Sequence, residues 1–384
     1  MKHIRILVLF LSACFVSVAW AQQQQACTAH TPWEEFHRYN MERWNPCEHV
    51  LNVHNVARLQ LKWSYVTGST SSSPIVEDGV VYTGSSSGML YALKASNGKL
   101  LWKYQTAKNG QNNASPAIAN GLVYFGSVDG KVYALKARTG AKVWTYQTGA
   151  QVDSSPSVAN GVVYIGSNDG KVYALKASTG VLLWSYTTGG KVTSSPAVAN
   201  GMVYASSYDG NVYALNATTG AKAWSYYGGG NYELWAPSPA LANGLVYVEM
   251  GDTDNVYALN ASTGAEVWSY NIGAGYIPKS SPALADGAVY IGSGDGNLYA
   301  LNAKTGVYLW SYDTGNIVET SPAVANGVVY FGTNNWAIYA VNAKTGAYLW
   351  QHSTLDSENP SPAVSDGVVY VGDNGGTFYA FALK

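Results

Sequence analysis

The chain has 384 residues, with 22 basic and 23 acidic side chains, charged residues at only 12%, 41 glycines and 30 tyrosines. Sparse charge with ordinary apolar content excludes a disordered polyelectrolyte and suits a tightly turned all-β protein with a sizeable core. Neither a basic excess nor a Lys/Arg cluster is present, which excludes a nucleic-acid partner.

The N-terminus orders Lys2 and Arg5, an apolar run from Ile6 to Trp20, and Ala19-Trp20-Ala21 ahead of a glutamine tract. This is the layout of an export signal cleaved after Ala21, so residues 1–21 are set apart from the fold. Their loss leaves 20 basic against 23 acidic residues, a net charge of −3. Leu11-Ser12-Ala13-Cys14 also has the form of a lipobox that would lipidate Cys14. The apolar run continues as Phe15-Val16-Ser17-Val18 where a lipoprotein turns polar, which favours plain secretion to the periplasm or outside the cell. No later stretch is long and apolar enough to span a bilayer.

Residues 22–58 read as an N-terminal arm. In an oxidising compartment its two cysteines, Cys27 and Cys47, are expected to pair as a disulfide. A metal site is the competing reading, since His30 lies near Cys27 and His49 near Cys47. The segment from Trp33 to Trp44 predicts a short helix with Trp33, Phe36, His37, Asn40 and Trp44 on one side.

From residue 59 one sentence is repeated. Ser-Pro recurs at Pro74, Pro116, Pro156, Pro196, Pro239, Pro282, Pro322 and Pro362, giving eight copies roughly 40 residues apart. Each copy has Asn-Gly or Asp-Gly after its first short run, as at Asn160-Gly161 and Asp286-Gly287. These pairs accept the positive φ angles of a type I′ hairpin turn. Asp-Gly pairs such as Asp169-Gly170 and Thr-Gly pairs such as Thr179-Gly180 mark two further turns, and the runs between are β-branched and aromatic. Four antiparallel strands per copy make a propeller blade. The last copy stops after its third strand, at Lys384, while Leu59–Gly68 supplies an unmatched fourth strand with Trp63 in the place of Trp102, Trp144 or Trp184. Pairing the two ends closes an eight-bladed β-propeller over residues 59–384 and hides both strand edges. The predicted helix then sits as a plug over a propeller face. A tyrosine or tryptophan present in every copy reads as blade-to-blade packing, so function is sought where the copies disagree. His352, the only histidine within a repeat, stands on a packing strand and reads as structural.

The motif of Tyr173–Trp184, "YALKASTGVLLW", resembles the blade motif of the quinoprotein alcohol dehydrogenase-like propellers, the pyrroloquinoline quinone (PQQ) repeat family. The lead-in through Asn45-Pro46, Leu51-Asn52 and Asn55-Val56 is similar to theirs, with His37-Arg38 where those enzymes carry Gly-Arg. The resemblance implies the eight-bladed fold. Catalytic members add a vicinal cysteine pair, insertions between blades, acidic and amide ligands for a calcium or lanthanide ion, and a catalytic aspartate in a Trp- and Tyr-Asp-containing segment, and the cysteine pair, the insertions and that segment are not recognisable here; a non-catalytic branch, the lipoprotein propeller of the outer-membrane β-barrel assembly machine, binds partner proteins.

Two positions before each Ser-Pro the copies diverge, reading Ser71, Asn113, Asp153, Thr193, Ala236, Lys279, Glu319 and Asn359. With the first strand of each blade nearest the axis, these residues are expected to ring one mouth of the channel. Copies five and six deviate further, adding Glu233, Trp235, Glu249, Asp252 and Asp254. The expected binding set is Asn113, Asp153, Trp235, Lys279, Glu319 and Asn359. The reading is a monomeric, non-enzymatic scaffold of the cell envelope that takes a protein or small polar ligand. The alternative is a PQQ- and calcium-dependent oxidoreductase of an alcohol or sugar, with Asp153, Glu319 and Asn359 on the metal and Lys279 on the quinone.

Overall fold

A computed structural model describes residues 43–68, 72–106, 114–229, 236–250, 255–273, 280–354 and 361–384. Eight antiparallel sheets of four strands repeat one plan, as in blade 3, where Ser157–Ala159, Val162–Ser167, Lys171–Lys176 and Leu182–Thr187 follow in order. The three-residue first strands lie innermost. Each touches the innermost strands of the blades before and after it, so the ring closes from blade 8, at Ala363–Ser365, to blade 1, at Ile75–Glu77.

The turn chemistry explains why every copy folds alike. The first residue of each Asn-Gly or Asp-Gly pair is left-handed, as at Asn160 (φ 50°) and Asp366 (φ 50°), and the glycine follows, as at Gly161 (φ 76°). That twist matches the strands it joins. Closure is as the ends predict. Gln60–Val66 pairs antiparallel with Thr377–Ala382, placing Trp63 opposite Ala380 and completing blade 8. Trp63 packs its ring 5.9 Å from Phe378 and 6.1 Å from Tyr370.

The core lies between blades. Tyr164, Val172 and Trp184 of blade 3 pack against Val203, Tyr213 and Leu215 of blade 4, and comparable clusters fill the other gaps. Each tryptophan also donates its indole N–H to the next blade, Trp144 to the Ala177 carbonyl at 2.8 Å and Trp184 to Ala217 at 2.9 Å. Its ring lies against the next blade's Thr-Gly turn, where a Cβ on Gly180 would come within 2.6 Å of Trp144. The Ser of Ser-Pro forms a belt near the axis. Its backbone N–H donates to the hydroxyl of the next blade's serine, from Ser73 through Ser115, Ser155, Ser195, Ser238, Ser281 and Ser321 to Ser361, at 2.9–3.2 Å. The aspartates of the second turn are likewise spent on the scaffold, since Asp129 and Asp209 accept from the hydroxyls of Tyr133 and Tyr213 at 2.6 Å.

The N-terminal arm departs from expectation. Trp44–Asn45 is a strand, not a helix end, and it pairs parallel with Ala323–Ala325, the innermost strand of blade 7. It lies on the axial side of that strand, inside the channel. Residues 33–42 of the predicted helix lie outside the described residues, as do the signal segment and Cys27. Cys47 is buried. Among the described residues no helix is long and apolar enough to cross a membrane.

Candidate functional site

The described rim residues stand where the repeat places them, at the entry to the innermost strands. Asp153 and Glu319 are half-buried, while Thr193 and Ala236 are buried. Asn113, Trp235, Lys279 and Asn359, with Ser71, lie outside the described residues. Asp153 belongs to the entry of blade 3 and Glu319 to that of blade 7, four blades apart in a ring of eight. They stand on opposite blades of the ring. Among the described residues no group of three or more His, Cys, Asp or Glu is placed to hold a metal.

The mouth between blades 3 and 4 is polar and partly ordered by its own contacts. Asn168, in the second turn of blade 3, donates its Nδ2 to Asp153 Oδ2 at 2.7 Å, and its Oδ1 is buried without a partner. The Lys191 ammonium lies 5.9 Å above the Tyr208 ring, a cation–π distance. Burial first, with the charge of Asp153 adding to it, raises the Tyr208 hydroxyl above its ordinary pKa. A carboxylate, an amide, an ammonium and an aromatic ring at one mouth suit a polar ligand or peptide.

Glu249 marks a second departure. Six copies carry glycine at its place in the second strand, among them Gly126, Gly166 and Gly292. A Cβ on Gly166 would come within 2.5 Å of the Val192 side chain and carbonyl, so any side chain there demands a different loop into the next blade. Ser206 and Glu249 both occupy that place, and Glu249 is 2% exposed. The sequence singles out Glu249; Asp252 and Asp254 beside it, and Glu233, lie outside the described residues.

Sequence reasoning missed the arm. Arg43 is fully buried in the channel, its Nε donating to the Pro322 carbonyl at 2.6 Å and its Nη2 to the Pro362 carbonyl at 2.8 Å. Burial lowers its pKa to about 9, which leaves it a cation at neutral pH. Asn45 donates to the Val364 carbonyl at 2.8 Å, and Glu48 accepts from the backbone N–H of Val50, Leu51 and Gly367. Arg43 and Asn45 thus bind blade 7 to blade 8 from within, and Glu48 ties the arm to blade 8. Nothing in the repeat announces this, because the arm lies outside it.

A ring of PQQ-type repeats, sealed by its own first strand, defines a class of eight-bladed propeller. The chain belongs to the PQQ-repeat family whose model is described as outer membrane protein assembly factor BamB, which matches residues 48–130, 128–277 and 252–384. It is 38% identical over 69 residues to quinohemoprotein alcohol dehydrogenase ADH-IIG of Pseudomonas putida, which is 17% of this chain and 10% of that protein. It is 43% identical over 68 residues to a quinoprotein ethanol dehydrogenase of Pseudomonas aeruginosa, covering 16% and 11%. The matched stretch thus spans about a tenth of the length of these relatives. Among solved structures, BamB from Moraxella catarrhalis superposes with a TM-score of 0.72 at 19% identity, covering 84% of this chain and 99% of that one. Quinohemoprotein alcohol dehydrogenase from Comamonas testosteroni superposes at 0.78 with 18% identity, covering 92% and 80%. At these identities the structural likeness shows the fold.

Proposed function

We propose that the mature chain is a secreted, monomeric binding scaffold of the cell envelope that holds an envelope protein or a small polar ligand at the mouth of its channel. The observation that carries this reading is the occupied axis. Arg43, Trp44 and Asn45 lie against the channel wall along blades 6 to 8, so the chain's own arm stands where an axial ligand would, and a partner is met at the rim or in the place that arm takes. The match to the family model described as outer membrane protein assembly factor BamB supports the same reading. Export follows cleavage after Ala21, and Cys27 pairs with Cys47 to hold the arm; intact mass of the secreted protein, with and without reduction, tests both and separates a Gln22 start from a lipidated Cys14.

The decisive experiment is a pulldown from envelope extract with the purified mature chain, run beside a titration with PQQ and Ca²⁺ followed by absorbance and dye-linked alcohol oxidation. Specific capture of one envelope protein, lost in Asp153→Ala, is expected. Stoichiometric quinone uptake with turnover abolished by Lys279→Ala would replace the scaffold with the oxidoreductase.

A further inference from the structure

The contact between the arm and the channel wall has the form of a peptide complex. Trp44 and Asn45 add to the free edge of Ala323–Ala325 in parallel register, with the Val324 N–H donating to the Arg43 carbonyl at 2.9 Å. Main-chain pairing of this kind supplies affinity for any extended segment, and side chains supply the selection. Here the selection is specific. The planar guanidinium of Arg43 spans the carbonyls of Pro322 and Pro362 in adjacent blades, a span suited to its forked donors and not to an ammonium. Trp44 packs against the apolar cluster of blades 6 and 7, and Asn45 crosses to Val364. The channel also keeps an uncovered side. The innermost strands of blades 6, 7 and 8 are wholly buried, whereas Glu77, Ala119, Ala159, Ala199 and Ala242, which end those of blades 1 to 5, retain exposed surface.

We propose that the channel wall along blades 7 and 8 is a binding site for an extended peptide carrying arginine, an apolar residue and then a carboxamide residue. The arm is its resident occupant, exchangeable for the same pattern on another chain. This rests on the scaffold reading and names the chemistry of the segment a partner would insert. Recognition uses backbone edges and carbonyls of the wall, none of which depends on the segment being joined to Leu51.

The test uses the full mature chain with Arg43→Ala and Asn45→Ala, which loosens the resident arm. A fluorescein-labelled peptide with the sequence from Met41 to Glu48, carrying Cys47→Ser, is titrated and followed by anisotropy. Saturable binding is expected, weakened at least tenfold when the peptide carries Arg43→Ala, together with recovery of part of the thermal midpoint lost in the variant. A folded variant that binds neither peptide, or both equally, overturns the site. Should the double variant fail to fold, the same titration on Asn45→Ala alone decides it. Capture of an envelope protein that excess peptide leaves undiminished, alongside absent peptide binding, would sink this inference while sparing the scaffold.

Discussion

The gap between blades 3 and 4 and the gap between blades 7 and 8 are built on the same plan and end differently. In the first, Tyr164 and Trp184 both donate to the Ala217 carbonyl of the next blade, at 3.1 and 2.9 Å. In the second, the place of that alanine falls to Leu383, and the carbonyl that Trp350 finds is that of Leu59, at 3.3 Å, just ahead of the incoming closing strand. Tyr330, the counterpart of Tyr164, is fully buried with its hydroxyl unpaired. Phe381 and His352 take the places of a leucine and a tyrosine, with ring centroids 4.6 Å apart, and the arm bridges the two blades on the axial side. Closing a ring with strands from both termini hides two edges but leaves one interface without its regular acceptor. Local substitutions and the arm offset that loss.

If the regular interface depends on its tryptophan, Trp184→Ala should show the largest effect, destabilising by about 3–5 kcal/mol as the ring leaves a cavity and Ala217 loses its indole donor. Denaturant unfolding measures it, and a cost below about 1 kcal/mol would mean that the packing is redundant. If the seam depends on the arm, Arg43→Ala should cost about 2–4 kcal/mol, because two hydrogen bonds from a buried cation are lost. Its signature differs in place: hydrogen exchange should quicken first in Gln60–Val66 and Thr377–Ala382, with blades 2 to 5 still protected. Uniform loss of protection would remove the distinction between seam and regular gap.

The tyrosines sharpen the comparison through a change of sign. Tyr290 donates to the Ala343 carbonyl at 3.0 Å, so Tyr290→Phe should destabilise by about 0.5–1.5 kcal/mol. In Tyr330 burial, with the charge of Glu48 adding to it, holds the hydroxyl far above its ordinary pKa, and no bond repays its desolvation. Tyr330→Phe should therefore leave stability unchanged or raise it by about 1 kcal/mol. Equal losses in the two variants would show that the Tyr330 hydroxyl has a partner, such as a trapped water.

The blades were legible in the sequence because each is specified by local chemistry repeated eight times. Asn-Gly at a type I′ turn, alternation along the strands and one Trp per outer strand all point to the same unit, and the mismatched termini reveal closure. The mouth was legible only as positions. That Asp153 takes the amide of Asn168 depends on how the entry and the second turn of one blade meet, and that Asp153 and Glu319 stand on opposite blades depends on how the blades are arranged about the axis. Arg43 was illegible for a further reason. A charged residue in a non-repeated arm reads as a solvated face, and its burial is decided by carbonyls 279 and 319 residues away in the chain.

The smallest effect concerns His352, which stands where the other blades carry tyrosine, as at Tyr186 and Tyr312. Its ring stacks on Trp350, and burial lowers its pKa below the ordinary histidine value. The unfolded chain then binds the proton more readily than the folded one, so stability is full above pH 6.5 and falls as pH drops through the folded value. The seam should thus loosen on mild acidification while the regular gaps hold. Replacing the imidazole with the residue the other blades use, His352→Tyr, should flatten the thermal midpoint between pH 7 and pH 5, with the wild type losing a degree or so over the same range. An unchanged slope would place the pH dependence elsewhere, and hydrogen exchange at Tyr348–Ser353 in both proteins would show whether the seam contributes to it at all.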